Sequence, residues 1–143
     1  MKLLLVNTNQ MEPAIAPIGL DYLADSISAE RHELSLLDLS ELQLDSSEIS
    51  DRVSRVSPDL VGITIRNTDD CYFTGQSFFL PEIRRIVELV RSSSEAPVVL
   101  GGVGYSTAPE AILEFCKADF GIAGEGEWAL PALLRALESQ RRF

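Results

Sequence analysis

Apolar residues along this chain fall into two alternating patterns. Short continuous runs occupy residues 3–6, 60–65, 98–100 and 120–123, with a weaker run at 34–37. Runs this short, rich in branched side chains and lacking strict alternation, predict strands of a parallel sheet buried on both faces. Between them the spacing changes to that of helices. Leu20, Leu23, Ala24 and Ile27 stand at i, i+3, i+4 and i+7, as do Ile83, Ile86, Val87 and Val90, and then Leu130, Leu133, Leu134 and Leu137. Ile49, Val53 and Val56 predict a shorter helix, whose start is marked by Asp45 with Glu48 three residues on, the two members of a capping box. Thr107 with Glu110, and Pro109 in the first turn, predict the start of a helix running through Cys116.

The order is strand then helix, five times over, with no repeat, linker or low-complexity tract. Right-handed crossovers then predict one α/β domain spanning residues 1–143, doubly wound and flavodoxin-like or Rossmann-like, with a five-stranded parallel sheet in the order 2-1-3-4-5 and helices on both faces. In such a sheet, ligands sit beyond the carboxyl ends of the strands, beside strands 1 and 3. Function is therefore sought after residues 6, 65, 100 and 123.

Charge and cysteine content narrow the class. Twelve Lys and Arg against 22 Asp and Glu give a net charge of −10, which repels nucleic acid and anionic membranes at long range. The run at 3–6 is too short for an export signal or a membrane span. Only Cys71 and Cys116 occur, too far apart to form a metal-binding motif, so a reduced, cytoplasmic protein is expected.

The strand ends hold the candidate chemistry. Gly101, Gly102 and Gly104 follow the fourth strand, and Gly124 and Gly126 follow the fifth. Without Cβ atoms, backbone there can lie directly against a flat or phosphorylated ligand, although tight strand-to-helix turns would also use glycine. The loops at 7–16 and 66–77 are long for such connections, and long loops at this edge are commonly functional. Familiar occupants of the fold lack their residues here. A phosphoreceiver would need an acidic pair after strand 1 and an Asp ending strand 3, where this chain has Asn7-Thr8 and Thr64-Ile65-Arg66. The loop after strand 1 has no glycine and no GxGxxG, so flavin or nucleotide binding remains only an alternative.

These residues together resemble the N-terminal cobalamin-binding domains of cobalamin-dependent radical S-adenosylmethionine (radical SAM) enzymes. The likeness runs from Lys2 to about Leu137. It rests on Leu3-Leu4-Leu5-Val6-Asn7, Pro17-Ile18-Gly19-Leu20 with Tyr22-Leu23-Ala24, Pro58-Asp59-Leu60-Val61-Gly62-Ile63, Val98-Val99-Leu100-Gly101-Gly102, Pro109-Glu110, Asp119-Phe120 and Gly124-Glu125-Gly126-Glu127. The resemblance implies a corrin ring over the carboxyl edge, with its nucleotide tail entering near Gly101 and Gly102 and meeting Thr64. The cofactor-binding set it implies is Asn7, Thr8, Thr64, Arg66, Asn67, Gly101, Gly102, Val103, Gly104, Gly124, Glu125 and Gly126, with no catalytic or metal-ligating residue in this chain.

Many cobalamin domains place a cobalt-binding His in an Asp-x-His-x-x-Gly loop after strand 1. Here that loop has no His, and the sole histidine, His32, precedes strand 2 at the opposite edge. The expectation is cobalamin bound with its dimethylbenzimidazole displaced and no protein imidazole on cobalt. Cys71 belongs to the third loop on the ligand edge, where Arg66, Asp69 and Asp70 offer charges to the corrin amides or the phosphate. Cys116 is expected in the core, Glu125 and Glu127 favour a helix start, and Tyr105 and Trp128 stack on the ring or pack. The family's CxxxCxxC motif, which holds a 4Fe–4S cluster and cleaves S-adenosylmethionine, is absent. A C-terminal radical SAM domain of the same chain is therefore the implied partner, and methyl transfer or a related radical reaction the implied activity. A degenerate domain that binds no cofactor and only packs on its neighbour is the remaining alternative.

Overall fold

The computed structural model describes residues 1–28, 30–40, 45–75 and 77–141. Within them, five parallel strands are ordered β2-β1-β3-β4-β5: β1 (Lys2–Asn7), β2 (Glu33–Asp38), β3 (Leu60–Thr64), β4 (Val98–Gly101) and β5 (Phe120–Gly121). Five helices alternate with them: α1 (Ile18–Ser28), α2 (Ser46–Val56), α3 (Leu80–Ser93), α4 (Pro109–Cys116) and α5 (Gly126–Arg141). The predicted topology is observed. None of these helices is long and apolar enough to cross a membrane.

The helical stripes divide over two faces. Ile49, Val53, Ile83, Ile86, Val87, Val90 and Ile112 bring α2, α3 and α4 against Leu4, Val6, Val61, Ile63, Val98 and Leu100. Leu20, Ile27, Leu130 and Leu134 bring α1 and α5 against Leu3, Leu5, Leu60 and Val99. Alternation along each strand sends consecutive residues to opposite layers, and the central strands β1, β3 and β4 are covered on both. The edge strands depart from the expected double burial. Leu36 of β2 is half exposed, and β5 pairs over only two residues because it has one neighbour and leaves the ladder after Ile122 N–H donates to Leu100 O at 2.8 Å.

The capping box at α2 is present. Asp45 accepts from Glu48 N at 2.9 Å, and Glu48 accepts from Asp45 N at 2.9 Å. The Ser47 hydroxyl, which donates at 2.7 Å, and then the Glu48 N–H hold the Asp45 carboxyl below its ordinary range. The second expected cap is corrected. Thr107 lies in a 3-10 turn (Tyr105–Thr107) where its hydroxyl donates to Gly104 O at 2.7 Å, and Ala108 is the N-cap of α4 with no side-chain bond. The residue before Pro109 must leave the helical region, so the helix starts one residue later than Thr107 could serve.

Candidate functional site

The carboxyl ends of β1, β3 and β4 open into a cleft of about 420 Å³ on the α1 and α5 face. Leu5, Gly62, Ile63, Val99 and Leu100 form its floor. Gly19, Leu20 and Leu23 of α1 face Ile122, Gly124, Gly126, Glu127 and Leu130 of the β5 to α5 segment, and Thr64, Gly101, Gly102, Val103 and Ser106 make the rim. A smaller depression of about 270 Å³, lined by Thr8, Gln10, Leu39, Ile49, Glu82, Arg85 and Ile86, involves α2 and α3. Its guanidinium is already engaged by Glu82 and Ser46, so the larger cleft is the better site.

Gly102 is the position at which the rim depends on glycine. Its φ is +102°, and a Cβ there would stand 2.6 Å from Ile65 O and 2.9 Å from Thr64 Oγ1. Ile65 O cannot retreat freely because it accepts Gly104 N–H at 2.8 Å, while Ile65 N–H donates to Gly101 O at 2.8 Å. The β3 and β4 ends are thereby laced together with bare backbone at the cleft mouth. Ser106 joins this turn to the next: its hydroxyl donates to Gly102 O at 3.0 Å and accepts Gly124 N–H at 3.0 Å. The two glycine clusters are one structure.

The residues singled out from sequence separate into three roles. Thr64, Gly101, Gly102, Val103, Gly124 and Gly126 meet at the cleft. The Thr64 hydroxyl makes no hydrogen bond among the described residues, while its main-chain oxygen accepts from Thr8 Oγ1 at 2.6 Å. Asn7 and Thr8 are buried and turn inward. Asn7 donates to Asp38 Oδ1 at 2.9 Å and accepts Asn9 N–H at 3.2 Å, so the pair ties the ends of β1, β2 and β3 instead of facing the large cleft. Gly104 is a packing glycine, since a Cβ would lie 3.0 Å from the backbone of Arg66 and Asn67. It pins the loop from which Arg66 is exposed beside the half-buried Asn67, outside the cleft lining; Glu125 is exposed just before α5 and likewise outside it.

The third loop is a small hairpin. Asp69 pairs with Phe78, Asp70 N–H donates to Ser77 O at 3.1 Å, and Phe79 N–H donates to Thr68 O at 2.9 Å. The Asp70 carboxylate accepts Tyr72 N–H at 3.0 Å and Ser77 N–H at 3.1 Å, which lowers its pKa, and Asp69 accepts Cys71 N–H at 2.8 Å. These carboxylates thus build the hairpin. Cys71 is exposed, with Asn67 Nδ2 donating to its sulfur at 3.5 Å. Cys116 is buried, and burial raises its thiol pKa. Tyr105 is core: its ring lies where a Cβ on Gly121 would be, and burial, then Cys116, raises its pKa. Trp128 is exposed. His32 sits at the amino edge, its ring buried with Nδ1 3.3 Å from the Met1 amino group and Nε2 3.6 Å from Glu30. Among the described residues, no three His, Cys, Asp or Glu side chains gather to hold a metal ion.

Sequence reasoning passed over Gly62, Gly19, Ser106 and Glu127 as site residues. Gly62 had a readable signal, because a glycine inside a buried apolar strand marks a close approach of ligand or backbone. Ser106 had none, since its bond with Gly124 joins two loops brought together only by the fold.

A family model described as the B12 binding domain matches residues 5–134. The chain belongs to the B12-binding domain family. The cleft fits that assignment, since bare glycine backbone at the rim and an apolar recess behind it suit a flat, tailed ligand. Among related proteins, tryptophan 2-C-methyltransferase of Streptomyces laurentii is 39% identical over 139 residues, 96% of this chain and 23% of that protein. The solved structure of the radical S-adenosylmethionine methyltransferase TsrM from Kitasatospora setae, with cobalamin and a 4Fe–4S cluster bound, superposes with a TM-score of 0.91 at 38% identity, over 97% of this chain and 25% of that one. The cobalamin-dependent radical enzyme OxsB, with aqua-cobalamin and S-adenosylmethionine bound, shares the fold at a TM-score of 0.73 and 16% identity, over 96% of this chain and 19% of its own. The chain spans about a quarter or less of each of these three proteins.

Proposed function

We propose that residues 1–143 are the cobalamin-holding, N-terminal domain of a longer radical S-adenosylmethionine enzyme. Cobalamin lies over the carboxyl edge with its nucleotide tail in the large cleft, base-off, and receives no imidazole from this chain. The observation that carries the reading is Gly102, whose positive φ and lack of room for a Cβ expose backbone at the mouth of an apolar cleft. That cleft belongs to a chain of the B12-binding family.

Each group of residues has a share. The leucine walls exclude water, the free Thr64 hydroxyl bonds the tail, and Ser106 keeps the two glycine turns at their spacing. Arg66 and Asn67, on the loop that Gly104 pins, serve the corrin amides or the phosphate, while Val103, Gly124, Glu125 and Gly126 border the ring. When bound, cobalamin supplies a cobalt ion that takes up and passes on a methyl group. The likeness to tryptophan 2-C-methyltransferase supports methyl transfer over other radical reactions for the whole protein. The cluster-binding cysteines are assigned to a following domain, and two free thiols suit a reducing, cytoplasmic setting.

The test is a titration of the purified chain with hydroxocobalamin, followed by its visible spectrum, and in parallel with flavin mononucleotide. Saturable uptake of the corrinoid alone is expected; uptake of flavin alone, or of neither, overturns the reading. In the Co(II) form, the electron paramagnetic resonance spectrum should lack strong coupling to an axial nitrogen. Such coupling would contradict base-off binding without a protein imidazole.

A further inference from the structure

The inner cleft has a chemical character narrower than corrinoid binding requires. Its floor is Leu5, Gly62 and Val99, and its walls are Leu20, Leu23 and Leu130. Main-chain polar groups of the floor are committed to the sheet, with Leu5 paired to Gly62 and Gly62 to Val99. Polar side chains stand only toward the rim: Thr64 ends its strand, the Ser106 hydroxyl is committed to Gly102 and Gly124, and Glu127 is exposed in the first turn of α5. Gly62 leaves a flat bare patch between two apolar neighbours, where a Cβ would lie 2.8 Å from Leu5 Cδ2 and 3.8 Å from Val99 Cγ1. That patch offers an apolar face, and among the described residues no side chain of the floor can donate or accept a hydrogen bond there.

Resting on the corrinoid reading above, we propose that this cleft reads the nucleotide base of the cofactor and selects a benzimidazole over a purine. Once attached to ribose, dimethylbenzimidazole presents one ring nitrogen and otherwise C–H and methyl groups. Adenine presents three ring nitrogens and an amino group, and each polar group buried without a partner weakens binding by about tenfold or more. Adenine is also the weaker ligand to cobalt, so its tail is released more readily. A preference for the benzimidazole form must therefore arise in the cleft.

The chain is titrated with three aquacorrinoids: cobalamin, the cobamide carrying adenine in its place, and cobinamide, which has no nucleotide. Cobalamin is expected to bind at least about tenfold more tightly than the adenine form, with cobinamide weaker than cobalamin. Equal binding of the two complete forms, with cobinamide weak, overturns base selection but leaves the tail in the cleft. Cobinamide binding as well as cobalamin overturns the inference by removing the tail from the cleft, and uptake of none of the three overturns the proposed function itself. Gly62→Val fills the floor once the flexible end of Leu5 moves aside, and should bring cobalamin down to the affinity of cobinamide while leaving cobinamide unchanged. Leu23→Gln offers an amide from a half-buried wall and should narrow the preference. An unchanged preference in both variants, each with a native dichroism spectrum, refutes the assignment of selectivity to these residues.

Discussion

Substituting Gly102 by alanine separates two costs that glycine avoids at the rim. The first is conformational: at φ +102° a residue with a Cβ is strained by about 1–3 kcal/mol. The second is contact, because the new methyl would stand 2.6 Å from Ile65 O, which is held by the Gly104 N–H at 2.8 Å. Relief requires that hydrogen bond to open, at about 1 kcal/mol. Gly102→Ala should therefore destabilise the chain by about 2–4 kcal/mol, which leaves a domain of this size folded. Gly124→Ala is the internal control. Its φ is +86°, but apart from its chain neighbours no atom of the described residues lies within 4 Å of the added Cβ, so it bears only the conformational cost. Urea denaturation followed by far-ultraviolet circular dichroism gives both values, and Gly102→Ala should exceed Gly124→Ala by about 1 kcal/mol. Gly102→Leu, folded by the same criterion, should abolish corrinoid uptake. Equal stability losses at the two glycines, or full uptake by Gly102→Leu, would falsify the claim that the rim is built on the absence of this Cβ.

Three further outcomes follow from particular contacts. Asp45→Ala removes the carboxylate that accepts the Glu48 N–H and leaves only the backbone half of the box, and the melting temperature at neutral pH should fall by roughly 2–4 °C. Because the folded-state pKa of Asp45 is depressed, the cap's contribution is present above the ordinary value of 3.8 and lost as the pH falls through the lowered one; variant and parent melts should converge there, and a constant gap would count against the mechanism. Gly121→Ala drives a methyl into the Tyr105 ring and should cost about 1–3 kcal/mol, with part of the loss recovered in the Gly121→Ala, Tyr105→Phe double variant because the hydroxyl is removed; a double-mutant cycle in urea with no coupling would refute the contact. His32→Ala should lower stability yet leave the spectrum of the Co(II) form unchanged, since the ring is buried at the amino edge beside Glu30 and Glu138; a changed cobalt spectrum would show that this imidazole reaches the metal.

The sequence alone determined the layers of the fold, because strand runs, helical stripes and the Asp45 and Glu48 cap are local patterns whose physical meaning survives without neighbours. It also marked the glycines at the carboxyl edge, since a cluster of residues without Cβ is visible in one dimension. Its errors were local signals overruled by context: Thr107 lost its capping role to a 3-10 turn and to the backbone restriction before Pro109. Only the tertiary structure decided what each residue faces. Asn7 and Thr8 turned inward because β2 and β3 present a carboxylate and a carbonyl across distances of 31 and 56 residues in the chain. Gly62 became cleft floor because parallel pairing sets it between Leu5 and Val99. Ser106 became the link between two glycine turns because β4 and β5 are neighbours. Periodicity says that successive strand residues face opposite layers, but the crossovers determine which layer holds α1 and α5, and therefore which residues see the cleft.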